Sequence, residues 1–231
     1  MKLFTIILLL LACLVAQGKD YSITLTVNGF GGQKTYLAKV EGDLSILTDT
    51  LVADRYGVFR TTFSDENETG FYKFIFPQLN NAEVPFIFNN EDVALTTEAI
   101  NPSAYIQVVS SKENDLYYQF QAKTAIFNHH VGLLEMVYEN YSGDEYLNQT
   151  ENEYIRLLQE FSKDLGSMRE HGKNTFAWRV IKSSVPPLPP MLLSQSEKNN
   201  FLKAHYFDNV DFTDTLLINS EVFNTAAIQY L

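Results

Sequence analysis

Four histidines, His129, His130, His171 and His205, are the natural starting point for a search for chemistry. Neighbouring residues on a helix point about 100° apart, so His129 and His130 do not converge on one ion from a helical segment. Neither an H-x-x-x-H nor an H-E-x-x-H spacing occurs, and no metal is expected. A serine nucleophile needs a base beside it and a rigid elbow to present it. G-x-S-x-G is absent, and the serines near glycine, Ser142 and Ser167, fall in a turn and near a polar helix end. The acidic runs Asp65-Glu66-Asn67-Glu68 and Glu91-Asp92 lack the D-x-D-x-D-G spacing of a calcium loop and read as solvated turn charge. The glycines of Asn28-Gly-Phe-Gly-Gly32 are not followed by the Lys-Ser/Thr of a phosphate cradle. Val185–Pro190 reads as a rigid extended spacer rather than a polyproline ligand, since basic neighbours are missing. No catalytic residue, cofactor or metal ligand is assigned, and the chain is not read as an enzyme.

The single cysteine, Cys13, sits inside an N-terminal stretch with one basic residue, an apolar run from Leu3 to Val15 and then small residues. That layout is a secretory signal, and the apolar run falls short of the ~20 residues needed to span a bilayer. Cleavage is placed after Gly18. The rival is lipidation at Cys13 after Leu10-Leu11-Ala12, a poor lipobox because Leu11 is bulky; membrane association is expected only by that route. Cleavage at Gly18 removes the only cysteine, leaving no disulfide, thiol nucleophile or CxxC pair. It also removes Lys2 and takes the formal charge from −11 to −12, which disfavours nucleic acid and anionic membranes as partners. The expected location is the periplasm or cell envelope of a bacterium, as a free protein in preference to an anchored one.

Two periodicities divide the remainder. From Asp20 to about Val109 the period is two, with Tyr21, Ile23, Leu25 and Val27 alternating against polar residues. Further short runs follow at Thr35–Val40, Ser45–Val52, Val58–Phe63, Phe71–Phe76, Pro85–Phe88, Val93–Thr97 and Tyr105–Val109, separated by Gly, Asn and Asp turns. This spacing predicts an antiparallel β-sandwich, with Phe71–Phe76, apolar on both faces, at its centre. From Ser111 the period lengthens. Leu116, Phe120, Phe127, Val131, Leu134 and Tyr138 form one stripe, and Tyr154, Leu157, Leu158, Phe161, Leu165 and Met168 a second, predicting an antiparallel helical hairpin. A helix at Thr175–Lys182, a capping-box helix from Ser194 to about His205 and a terminal helix near Ser220 complete the chain. The expectation is therefore α+β in two segregated parts: a signal at 1–18, a β-sandwich domain at 19–110 and an α-helical domain at 111–231.

Four stretches, DRYGVF, PFIFNNEDVALTT, SSKENDLYYQFQ and KAHYFDNVDFTDTLLI, together resemble exported bacterial thioredoxin-like proteins of the alkyl-hydroperoxide-reductase/thiol-disulfide-oxidoreductase superfamily. The resemblance covers their N-terminal β-domain of unknown function and helical middle domain, across the whole mature chain. It implies a third, thioredoxin-like domain, in which a cysteine pair at a helix N-terminus carries the redox chemistry. Nothing in this sequence matches that pair, so no catalytic residue is carried over. The implied role is a non-catalytic accessory region that positions the redox domain or binds its partner. The alternative is a stand-alone exported protein- or glycan-binding module. The terminal helix, through Val222, Phe223 and Tyr230, is the expected contact with a protein partner or with the missing thioredoxin-like domain.

Overall fold

The computed structural model describes residues 18–141, 143–185, 187–190, 193 and 195–230. Residues 1–17 of the signal segment, with Cys13, the turn serine Ser142, Pro186 of the spacer and the Ser194 cap lie outside the described residues.

Eight strands come first: β1 (Asp20–Asn28), β2 (Lys34–Glu41), β3 (Leu44–Val52), β4 (Val58–Ser64), β5 (Gly70–Phe76), β6 (Ala82–Phe88), β7 (Val93–Glu98) and β8 (Gln107–Ser110). They form two four-stranded sheets, ordered β4-β1-β7-β8 and β3-β2-β5-β6. The inward residues of both sheets share one core, in which Ile23, Leu25, Phe59 and Leu95 meet Leu37, Phe74, Phe76 and Phe86. Its rings pack edge to face, as between Phe63 and Phe88 at 4.9 Å. β5 lies between β2 and β6 with both faces covered, as its sequence requires.

The expected sandwich forms and is antiparallel but for one strand pair. β1 pairs antiparallel with β4 but parallel with β7, Ile23 opposite Val93. The chain visits the second sheet twice between these strands, so no local turn signals their direction. Turn chemistry is visible where it is local. In DRYG the Asp54 carboxylate accepts from the Tyr56 and Val58 amides at 2.8 and 3.1 Å. Gly57 takes a φ of 83° there, and a Cβ on it would collide with the Val27 carbonyl.

Helices α1 (Lys112–Asn140) and α2 (Asp144–Gly172) form the expected hairpin. Leu116 abuts Gly172, Lys123 pairs with Asp164 at 3.0 Å, and Phe127 stacks on Phe161 at 4.5 Å. Partners thus advance in opposite directions along the two helices. α3 (Phe176–Ser184) begins at Thr175, whose hydroxyl accepts from the Trp178 amide at 3.0 Å. α4 (Gln195–His205), a 3-10 turn (Thr215–Asn219) and α5 (Val222–Tyr230) follow. The stretch between α4 and α5 thus ends in structure: Asp214 caps the 3-10 turn at the Leu216 amide and pairs with Arg179 at 2.8 Å.

The helices cover the outer face of the second sheet. Val40, Phe71 and Ile87 point away from the sandwich core into a second core with Leu116, Phe120, Phe176, Ile181, Leu217 and Val222. Among the described residues, no helix is long and apolar enough to cross a membrane.

Candidate functional site

Most of the polar residues that stand out at the junction of the two parts hold the fold together. Ser111 caps α1, its hydroxyl accepting from the Asn114 amide at 3.0 Å. Glu91, expected to be solvated turn charge, instead reaches the same helix start and accepts from the Ser111 hydroxyl and the Glu113 amide. Asp92 likewise accepts from the Ser22 amide at 2.8 Å, and Glu68 pairs with Lys39. An anion at a helix N-terminus satisfies open N–H groups and opposes the helix dipole, which a sequence reading of "turn charge" misses.

Three polar residues of the SKENDLYY stretch, the buried Glu113 and Asn114 and the half-buried Tyr118, were not singled out by sequence reasoning. The Asn114 side chain donates to the Ile87 carbonyl and accepts from the Ile87 amide, both at 2.8 Å. Tyr118 donates to the Pro85 carbonyl. Together they occupy the free edge of β6, the last strand of the second sheet. Glu113 accepts from the amides of Phe176 and Ala177 at 3.1 and 2.6 Å and from the Asn89 side chain at 2.6 Å. Burial pushes its carboxyl above the usual carboxylate range, outweighing the pull of those donors.

One further constellation carries more polar groups than that duty uses. A cavity of about 460 Å³ lies between the outer face of the second sheet, α1, α3 and α5. Its floor includes Val40, Phe71 and Lys73. Lys73 is 6% exposed, and its ammonium donates to Glu83 on β6 at 3.0 Å and to Glu221, just before α5, at 3.4 Å. α1 contributes Tyr117, Gln121, Thr124 and Asn128, a polar stripe at helical spacing. α5 and its start answer with Glu221, Thr225 and Gln229. Burial, with the Glu221 charge adding to it, pushes the Tyr117 hydroxyl up to about 12. The Thr124 hydroxyl oxygen is buried and has no hydrogen-bond partner among the described residues. Other helical hydroxyls here turn back on their own helix, as Thr150 does to Tyr146 and Ser184 to Val180. The sequence did carry one signal for this site: Lys73 is the lone charge in the apolar run FYKFIF.

The residues expected to form a partner contact divide. Val222 is buried beneath the sheet, and so is not available to a partner. Phe223 is half-buried and stacks on Phe212 at 5.5 Å. Tyr230 remains 42% exposed, its ring 4.9 Å from Phe207. The His129 and His130 rings lie 5.9 Å apart, and no group of metal-ligating side chains forms among the described residues.

Fold and cavity together define an α+β protein with a polar pocket at the seam between sheet and helices. Residues 148–231, from within α2 through α5, match a family described as a domain of unknown function (DUF5106). That description assigns no activity and names no thioredoxin-like relationship. No curated protein matches the chain.

Proposed function

We propose that this chain is a non-catalytic, exported binding module whose ligand occupies the pocket between the second sheet and α1, α3 and α5. The observation that carries this reading is the pair of polar helix stripes facing one another across an open cavity, with a buried hydroxyl left unpaired between them. A helix interface that served only stability would fill this space with apolar side chains, because an unsatisfied buried hydroxyl costs about 1–3 kcal/mol. Pockets of this size with a few convergent polar groups are the usual form of small-ligand sites. A thermal-shift screen of small polar molecules tests it. Thr225, exposed at the cavity wall, is replaced by Trp to block the space. Molecules that raise the melting temperature of the native protein lose that effect in Thr225→Trp. Equal stabilisation of both forms, or none of either, overturns the proposal.

The resemblance of DRYGVF, PFIFNNEDVALTT, SSKENDLYYQFQ and KAHYFDNVDFTDTLLI to the front end of exported thioredoxin-like proteins supports a second reading. There the chain positions a redox domain or holds its partner, with Ile228 and Tyr230 on α5 as the apolar contact surface left exposed. Both readings require export and the absence of catalysis. Mass measurement of the exported N-terminus distinguishes a chain starting at Lys19 from one acylated at Cys13. Insulin reduction by the Lys19 form above background would overturn the non-catalytic part of both.

A further inference from the structure

Resting on the pocket reading above, we infer that the pocket takes an uncharged, hydroxyl-rich small molecule of mono- or disaccharide size. The site sets one ammonium against two carboxylates, a net charge of −1. Lys73 is held by two carboxylates, Glu83 and Glu221. An anionic ligand would meet those carboxylates and find Lys73 already engaged. A cationic ligand could pair only at the solvent-open sides of Glu83 and Glu221, where an ion pair is worth about 0–1 kcal/mol.

What remains is amide and hydroxyl. Gln121 and Asn128 each offer donors and an acceptor, Gln229 offers its donors while its side-chain oxygen takes the Tyr206 hydroxyl, and Thr124, Thr225 and Tyr117 each carry a hydroxyl that can do both. A sugar hydroxyl likewise donates one hydrogen bond and accepts two, so a mixed wall satisfies it where a wall of donors or of acceptors alone does not. Tyr117 keeps its proton at any physiological pH and so keeps both roles. The apolar floor of Val40 and Phe71 suits the C–H face of a ring. A peptide strand fits less well, because the floor is a sheet face and the neighbouring edge of β6 is taken by Asn114 and Tyr118. The Thr124 hydroxyl has almost no surface open to the cavity, and such a ligand would satisfy it after a side-chain rotation that turns the oxygen to the wall.

The test is an amide chemical-shift titration of the full exported chain with glucose, N-acetylglucosamine and maltose, beside spermidine, citrate and tri-alanine. The saccharides are expected to shift amides of Tyr117, Thr124 and Thr225, and the other probes to leave them unmoved. Thr124→Val, which keeps the shape and removes the hydroxyl, weakens saccharide binding about tenfold. The same change raises the melting temperature of the unliganded protein, because it removes a buried unsatisfied group; a threonine hydrogen-bonded within the fold would lower it. Shifts at these amides from spermidine, citrate or tri-alanine instead of saccharides overturn the ligand class and leave the pocket reading standing. Silence from every probe at these amides overturns the ligand class and removes the support for the pocket reading as well. Should Thr124→Val fail to fold, Thr225→Ala at the exposed wall serves in its place, with the same loss of affinity expected and unchanged affinity counting against the ligand class.

Discussion

Asn114 gives the β6 edge the two hydrogen bonds that a further strand would otherwise supply, and it does so from the first turn of a helix. Removing it leaves the Ile87 amide and carbonyl buried without partners. Asn114→Ala is therefore expected to cost about 2–4 kcal/mol, read as a lower urea midpoint at unchanged slope. Glu113, beside it, makes a prediction about pH. Burial raises its folded pKa above the ordinary value of 4.5, so the folded state binds the proton more tightly than the unfolded chain does. The stabilising contribution is fully present below about 4.5 and is lost as pH rises through the folded pKa. In urea titrations across that window, wild type should lose stability relative to Glu113→Gln as pH increases. Wild type gaining stability relative to Glu113→Gln as pH rises would show that the three donors, and not burial, dominate the site.

At the scale of elements, the α1–α2 hairpin closes so tightly near its base that Gly172 has no room for a side chain. A Cβ there would overlap Leu116, which is itself buried. Gly172→Ala should destabilise by about 1–3 kcal/mol through overpacking. Leu116→Ala should cost roughly 2–5 kcal/mol through a cavity. The double variant should cost clearly less than the two together, since the new methyl enters the space that the leucine leaves. Additivity would mean that the two residues are not in contact. This hairpin was legible from sequence because helical periodicity is a local signal: Phe127 and Phe161 lie on the stripes that the spacing marks out. The eight strands were legible for the same reason. What could not be read locally is what joins distant residues. The parallel β1–β7 pair and the reach of Glu113 to Ala177, 64 residues on, have no signature in any window of sequence. The pocket falls in that class too, because its walls come from β2, β5, β6, α1, α3 and α5.

For the whole molecule, the division expected at residue 110 marks a change of periodicity, while the packing runs across it. Val40, Phe71 and Ile87 belong to the sheet by hydrogen bonding and to the helical core by contact. The link is also polar: Asn114 and Tyr118 seal β6, Lys73 holds Glu221, and Asn219 donates to the Thr69 carbonyl at 2.9 Å. Gly70 shows how close the approach is, since a Cβ there would press on Asn219 at 2.5 Å. Separating the parts would expose three large apolar side chains on the sheet and strand the β6 edge. Each buried aliphatic or aromatic side chain contributes about 1.5–3 kcal/mol, so the coupling is comparable with the whole stability of an ordinary domain. Calorimetry of the chain from Lys19 onward is accordingly expected to show a single transition, with calorimetric and van't Hoff enthalpies equal. Phe71→Ala, at the shared face, should lower that one transition without splitting it. Two resolved transitions in the unmodified chain would show instead that sheet and helices fold as separate domains, and that the pocket lies between independent bodies.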